Sequence, residues 1–268
     1  MFINEWSGFL KMGARDWRTS WMEKKPFIVA IGALFACICA SYATAEDQVP
    51  TKEQIMSDFA EDVLFRIGHE KTRTLAKWET PVRFGILSDE GINPNILSKT
   101  AEYIDVIQKA TGHQIIFTSK NVNFLAIMSS DIYVELSKRE NIVQQFFTDG
   151  VSYKDFFEES KSRNYTCGGK ILMSKQNSIL AHLIFVSLAH DHTDEQVEAC
   201  IAFQLVEGMG VVMRGENRKK NWNLAPADIS ISAEKKIILN LLYKSSIKAG
   251  MSEGDALKEV SRLLHDAP

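Results

Sequence analysis

The sequence has few prolines, few long apolar runs and no excess of positive charge. Six prolines and fifteen glycines among 268 residues leave no low-complexity linker, which favours a globular chain. A formal net charge of −3 and a pI near 6.1 provide no basic surface for nucleic acid, so we expect no such partner. The P-loop, GxGxxG, GxSxG and Cys–His nucleophile patterns are also missing, and we expect no cofactor.

The longest apolar stretch lies near the N-terminus, and we interpret it as a cleaved signal peptide. Two lysines at 24–25 precede the apolar segment 27–40, which is shorter than the roughly 20 residues that a transmembrane helix needs. Ala43 and Ala45 then form a small-x-small cleavage site. We expect translation to start at Met22 and cleavage to follow Ala45. The alternative is an N-terminal helix followed by a signal anchor.

Two cysteines remain after removal of the predicted signal peptide, residues 1–45. Cys167 and Cys200 stand alone in residues 46–268, and two cysteines in an exported chain usually pair. The alternative, a shared metal site, lacks the CxxC spacing that would support it. We therefore expect a disulfide-bonded protein, periplasmic or secreted, whose only contact with the membrane is through the signal segment during export.

Helix and strand patterns alternate along residues 46–268 without a repeat or a break in composition, and they predict one domain. Helical spacing or capping signals predict helices at 52–67 (closed by Gly68), 94–111, within 131–150, and at 193–209, 233–246 and 253–265. Strand patterns occur at 80–87, 113–119 and 122–129, and a hairpin spans 165–189 with its turn at 175–178. We expect an α+β domain in which helices pack on one side of a mixed sheet.

The stretch "HTDEQVEACIAFQLVEGMG", residues 192–210, holds the strongest candidate site. Its apolar residues fall on one broad helical face, which is typical of a helix that packs on a core. Gln204 lies within that face and Glu207 at its edge. We expect these two side chains to line a binding cleft with Tyr243. The alternative is that they cap a neighbouring loop or face water.

The same helix lacks the histidine pair of a zinc protease. That site needs two histidines at i and i+4 with a glutamate between them, because this spacing turns both rings toward one metal. Here the only histidines, His190 and His192, precede the helix and could bind a metal with Asp194 or Glu195. Such a cluster is more often a solvated helix start with favourable acids, so we expect no metal there.

Several separate motifs resemble those of a family of bacterial exported proteins, domain of unknown function 2927. They are "LAKWETPVRFGIL", "CIAFQLVEGMG" and "LLYKSSIKAGMSEGDA", and the likeness covers about residues 55–262. Matching positions include Cys200, Gly210, Tyr243, Gly250, Met251 and Ala256. The family's helix is similar to the zinc-protease helix, so the resemblance implies a zincin-like arrangement as a fold-level analogy and no established activity.

This sequence also departs from the family pattern, since Phe203 and Gln204 stand where paired acids are usual and Glu207 where glutamine is usual. The obvious general base is therefore lost. We expect a noncatalytic envelope protein that binds another protein or a ligand beside helix 193–209. The alternative is a divergent hydrolase, metal-dependent or carboxylate-based, in which Glu207 is the base and His190 or His192 is brought in by folding.

Overall fold

The fold of the chain is given by a computed structural model. It describes residues 50–66, 73–88, 91–147, 152–162, 167–189, 192–211 and 231–266. The predicted signal peptide with Met22, the helix end at Gly68 and the histidine at position 190 lie outside these ranges. Residues 49–268 group into one compact unit.

A five-stranded mixed sheet forms the centre of the fold, and a two-stranded antiparallel ribbon precedes it. The ribbon pairs β1 (Leu64–Arg66) with β2 (Arg73–Leu75), and the sheet contains β3 (Val82–Leu87), β4 (Ile115–Phe117), β5 (Phe124–Ser129), β6 (Cys167–Met173) and β7 (Ile179–Ser187). The sheet order is β4-β3-β5-β7-β6. The first four strands in that order are parallel neighbours, and the edge strand β6 is antiparallel to β7. The predicted hairpin is therefore confirmed.

Eight α-helices accompany these strands in the part of the chain that the structure describes. They are α1 (Lys52–Asp62), α2 (Pro94–Thr111), α3 (Ile132–Lys138), α4 (Glu140–Val143), α5 (Tyr153–Ser162), α6 (Asp194–Gly208), α7 (Ala233–Leu242) and α8 (Glu253–Asp266). Helix α2 has the predicted bounds, because Asn93 caps its first turn and Gly112, at φ 65°, ends it in the left-handed region. None of the described helices has the length and apolar character needed to cross a membrane.

The helices cover both faces of the sheet, so the expectation of helices on one side only is wrong. Phe84, Phe124 and Ala126 point into the larger core, which also contains residues of α1, α2, α6, α7 and α8. Leu125 and Ile127 alternate with them along β5 and point into a second core with residues of α3 and α4. The class is the predicted one: a single α+β domain built on a mixed sheet.

The structure differs from the sequence prediction at the ends of two helices and in one whole helix. The first helix ends at Asp62, before the predicted 67, because Leu64–Arg66 pairs as a strand with Arg73–Leu75. Helix α7 ends at Leu242, before the predicted 246. Helix α5 was not predicted at all, since its acidic sequence has only a narrow apolar stripe.

Candidate functional site

Helix α6 carries the candidate site, and both of its ends are fixed. At the start, Thr193 Oγ1 accepts a hydrogen bond from the Gln196 backbone amide and Gln196 Oε1 accepts one from the Thr193 backbone amide, which together form a capping box. At the end, Trp78 Nε1–H donates to the Gly208 carbonyl over 2.7 Å. Between them, the predicted disulfide joins Cys200 to Cys167 of β6. The helix is therefore tied to the edge strand and to the segment before β3.

The structure brings Gln204 and Glu207 together, as their i, i+3 spacing requires. Gln204 is only 2% exposed, and its Nε2–H donates to Glu207 Oε2 over 3.3 Å. Its Oε1 atom is buried and has no hydrogen-bond partner among the described residues. Glu207 is half-buried. A buried amide thus orients a carboxylate that reaches the edge of the helix.

A third polar side chain, His182 of β7, adjoins this pair and was missed by the sequence analysis. A side chain at Gly169 of β6 would place its Cβ 2.3 Å from Gln204 Oε1 and 2.7 Å from His182 Nε2, so both atoms converge on that glycine. A side chain at Gly208 would likewise lie 2.2 Å from His182 Nδ1. The only sequence signal is a lone histidine within the apolar strand 179–187.

His182 is a neutral, enclosed imidazole. It is 1% exposed, its ring centroid lies 4.6 Å from that of Phe124, and its buried Nδ1 has no hydrogen-bond partner among the described residues. Burial lowers its pKa to about 3, because an apolar environment disfavours the charged ring. Glycine is required at 169 and 208 because any larger side chain would displace this ring.

Tyr243 lies beside the end of α6, with its hydroxyl bonded to the backbone. The hydroxyl donates to the Met209 carbonyl over 3.1 Å and accepts from the Trp78 amide over 3.4 Å. Burial raises the pKa of its phenol above the ordinary range. Tyr243 thus contacts the chain just after Glu207 through the backbone, and a cleft lined by Gln204, Glu207 and Tyr243 stays a prediction.

Lys77 forms a second buried polar centre that the sequence analysis did not identify. Its Nζ donates to the carbonyls of Leu242 and Ile247 over 3.0 and 2.9 Å and lies 5.1 Å from the centre of the Tyr243 ring. It therefore satisfies the carbonyl of the last residue of α7 and one in the segment that follows this helix. Burial, with a contribution from Lys248, lowers its pKa to about 8.

The weak metal candidates are only partly visible in the structure. His192 is half-buried at the start of α6, and its neighbour at position 190 lies outside the described ranges. Within those ranges, no three His, Cys, Asp or Glu side chains are grouped so that they could hold a metal ion. The absence of a physiological metal stays a prediction.

Comparison with known proteins links the chain to a family. The sequence model of the DUF2927 family, whose members have no known function, matches residues 52–262. This range includes the whole sheet and helices α1 to α7. No curated protein and no solved structure matches the chain. The match confirms the family resemblance seen over about residues 55–262, and the zincin-like arrangement stays a prediction.

Proposed function

We propose that this chain, which belongs to the DUF2927 family of proteins of unknown function, is an exported envelope protein that binds a ligand or a protein partner without catalysis. Export is supported by the disulfide between Cys167 and Cys200, since thiols in the cytosol are kept reduced. Its binding surface is the edge of α6 at Glu207, beside β6.

The observation that carries this proposal is the bond from Gln204 to Glu207. Because Gln204 is buried, its side chain has few alternative positions, and its Nε2–H restricts the positions of the Glu207 carboxylate. A carboxylate fixed by a buried neighbour is suited to recognition, since less conformational entropy is lost when a partner binds. The disulfide one turn earlier, at Cys200, keeps the same helix in register with β6.

The neighbouring side chains support binding over acid–base chemistry. The side-chain amide of Gln204 does not titrate near neutral pH and cannot serve as a general acid or base. His182, with a pKa of about 3 and almost no exposure, is a poor general base at pH 7, because efficient proton transfer needs a pKa near the working pH. Glu207 is the one remaining acid–base candidate of the three, which is why the hydrolase alternative needs it as the base.

The test uses the chain purified from a bacterial periplasm and immobilised. We expect it to retain a component of solubilised envelope extract that the Glu207→Gln variant does not retain. Glu158→Gln is the matched control, because Glu158 is exposed on α5 and its substitution makes the same change of charge away from α6. Equal retention by the wild-type chain and Glu207→Gln would contradict the proposal.

Metal analysis of the same preparations distinguishes the alternative. Stoichiometric zinc in the wild-type chain that is lost in Glu207→Gln or His192→Ala would favour a metal-dependent hydrolase over a binding protein. We expect no stoichiometric metal in the wild-type chain. A carboxylate-based hydrolase would instead be shown by hydrolytic turnover of a retained component, again dependent on Glu207.

A further inference from the structure

The side chain of His182 is so enclosed that a proton added at Nδ1 would meet neither water nor a hydrogen-bond partner in the part of the chain that the structure describes. Its ring lies between the backbones of Gly169 and Gly208 and against the ring of Phe124. Nδ1 has no acceptor beside it among the described residues, so a proton added there would have no hydrogen-bond partner. A buried charge without a partner is strongly unfavourable, and water can reach the ring only if one of the groups around it moves.

Of the three walls, the C-terminal part of α6 is the one outside the sheet, so its separation would leave the pairing of β5 and β6 with β7 intact. The edge strand β6 is bonded to β7 along its length, and Phe124 belongs to the central strand β5. Helix α6 is held to β6 by the disulfide at Cys200. A separation of the turns after Cys200, which carry Gln204, Glu207 and Gly208, would therefore leave the earlier turns attached. The bonds from Trp78 to the Gly208 carbonyl and from Tyr243 to the Met209 carbonyl would break in that movement.

We propose that His182 is an acid-sensitive latch: its protonation separates the C-terminal turns of α6 from the sheet and so releases whatever is bound at the Gln204–Glu207 edge. The statement about release rests on the proposed function, whereas the separation does not. The latch regulates the site through the position of its helix, since His182 itself is buried and would not touch a ligand.

Few charged groups on the surrounding elements could stabilise a protonated His182 ring in place. Strand β5 has no titratable residue, and on β6 the one titratable side chain, Lys170, lies on the opposite face with its Nζ 5.7 Å from the centre of the Phe147 ring. On α6, Glu207 is adjacent, while Asp194, Glu195 and Glu198 lie ten or more residues before Gly208, about 15 Å along the axis. Glu207 is therefore the only acid near the ring on these three elements.

The pH range over which α6 should separate follows from the difference between the pKa of His182 in the closed form and in the open form. In the closed form the pKa of His182 is about 3, whereas in an open, hydrated form it returns to about 6.5. The open form therefore binds more protons between about pH 6.5 and pH 3, and the ratio of open to closed chains rises by up to about tenfold for each pH unit lost in that range. Above pH 6.5 this ratio does not depend on His182.

Trp78 reports the separation without any ligand. The exported chain has two tryptophans, Trp78 and Trp222, so the Trp222→Phe background isolates the first. We expect its fluorescence to change reversibly as the pH falls below about 6, at least one pH unit before the far-UV circular dichroism is lost. His182→Gln should abolish this early change, and His265→Gln, at an exposed histidine of α8, should retain it.

Two results would overturn the latch. One is an unchanged fluorescence transition in His182→Gln; the other is a wild-type fluorescence transition that coincides with loss of the far-UV signal, which would mean that the whole domain unfolds. If His182→Gln does not fold, hydrogen exchange of the backbone amides in the wild-type chain tests the proposal instead. After correction for the intrinsic exchange rate, residues 204–209 should exchange faster below pH 6, and residues 94–111 should not. Uniform acceleration would overturn the proposal.

The two proposals can fail separately. If Glu207→Gln retains the envelope component as well as the wild type does, the proposed function fails, while an early Trp78 transition would still support the latch. If retention depends on Glu207 and is the same at pH 7.5 and pH 5, with no early Trp78 transition, the latch fails and the binding function stands.

Discussion

The indole N–H of Trp78 donates to the carbonyl oxygen of Gly208 over 2.7 Å. This bond joins the segment before β3 to the end of α6, and Trp78 is almost fully buried. Trp78→Phe should lower the free energy of unfolding by about 1–3 kcal/mol, because it leaves a buried carbonyl without its donor and removes core volume. Urea unfolding followed by circular dichroism measures the loss, and an unchanged midpoint would contradict the bond.

Gly208 should not tolerate a side chain. An added Cβ would lie 2.2 Å from His182 Nδ1 and 2.5 Å from a ring carbon of Phe124, so Gly208→Ala should destabilise the chain by about 1–3 kcal/mol through overpacking. Gly254→Ala is the matched control, since Gly254 lies in α8 and an added Cβ meets nothing within 4 Å. It should be neutral or stabilise by up to about 1 kcal/mol. Equal effects of the two substitutions in thermal unfolding would show that the packing at Gly208 is looser than described.

The sequence predicts best those elements whose limits are set by nearby residues. Helix α2 has the predicted bounds because Asn93, Pro94 and Gly112 act on the backbone within a few residues of themselves. The end of α1 could not be predicted in this way. Its apolar spacing continues to residue 67, and only the pairing with Arg73–Leu75 draws the segment after Asp62 into a strand.

In the candidate site, too, the sequence predicts the features set by local spacing and misses those set by packing between distant elements. The contact between Gln204 and Glu207 follows from helical spacing, and the disulfide was predicted from the two cysteines outside the predicted signal peptide. His182 could not be found from the sequence, because its place depends on how β7 aligns with β6 and on where α6 crosses the sheet. A lone histidine in an apolar strand looks the same whether it faces Gly208 or another part of the core.

The disulfide should stabilise the exported chain measurably. It closes a separation of 33 residues, for which the chain-entropy model gives about 3–4 kcal/mol. Reduction with dithiothreitol should lower the unfolding midpoint of the wild-type chain and have no effect on the Cys167→Ala, Cys200→Ala double variant. In the denatured, non-reduced wild-type chain, iodoacetamide should label neither cysteine, and ready labelling of both would show that the bridge does not form.

Export should remove the N-terminal segment. Mass spectrometry of the chain recovered from a bacterial periplasm should show an N-terminus at Glu46, because Ala43 and Ala45 form the small-x-small site. Ala45→Arg should block processing and leave a longer chain. Thr44→Arg is the matched control, since the middle position of the site does not need a small residue and processing should continue. A mature protein that still contains residues 27–40 would favour the signal-anchor alternative.

Stability at alkaline pH should report on Lys77. Its folded pKa is about 8, below its ordinary 10.5, so between these values the unfolded chain binds more protons and the free energy of unfolding rises with pH. The rise should be at most about 1.4 kcal/mol per pH unit. The rise should be absent in Lys77→Met, which lacks the titrating amine. Urea unfolding at pH 8 to 10 gives the slope of the unfolding free energy against pH for each chain, and the difference between the two slopes is the contribution of Lys77. Parallel slopes would mean that Lys77 keeps its ordinary pKa, and that its contacts with the Leu242 and Ile247 carbonyls offset the cost of burying its charge.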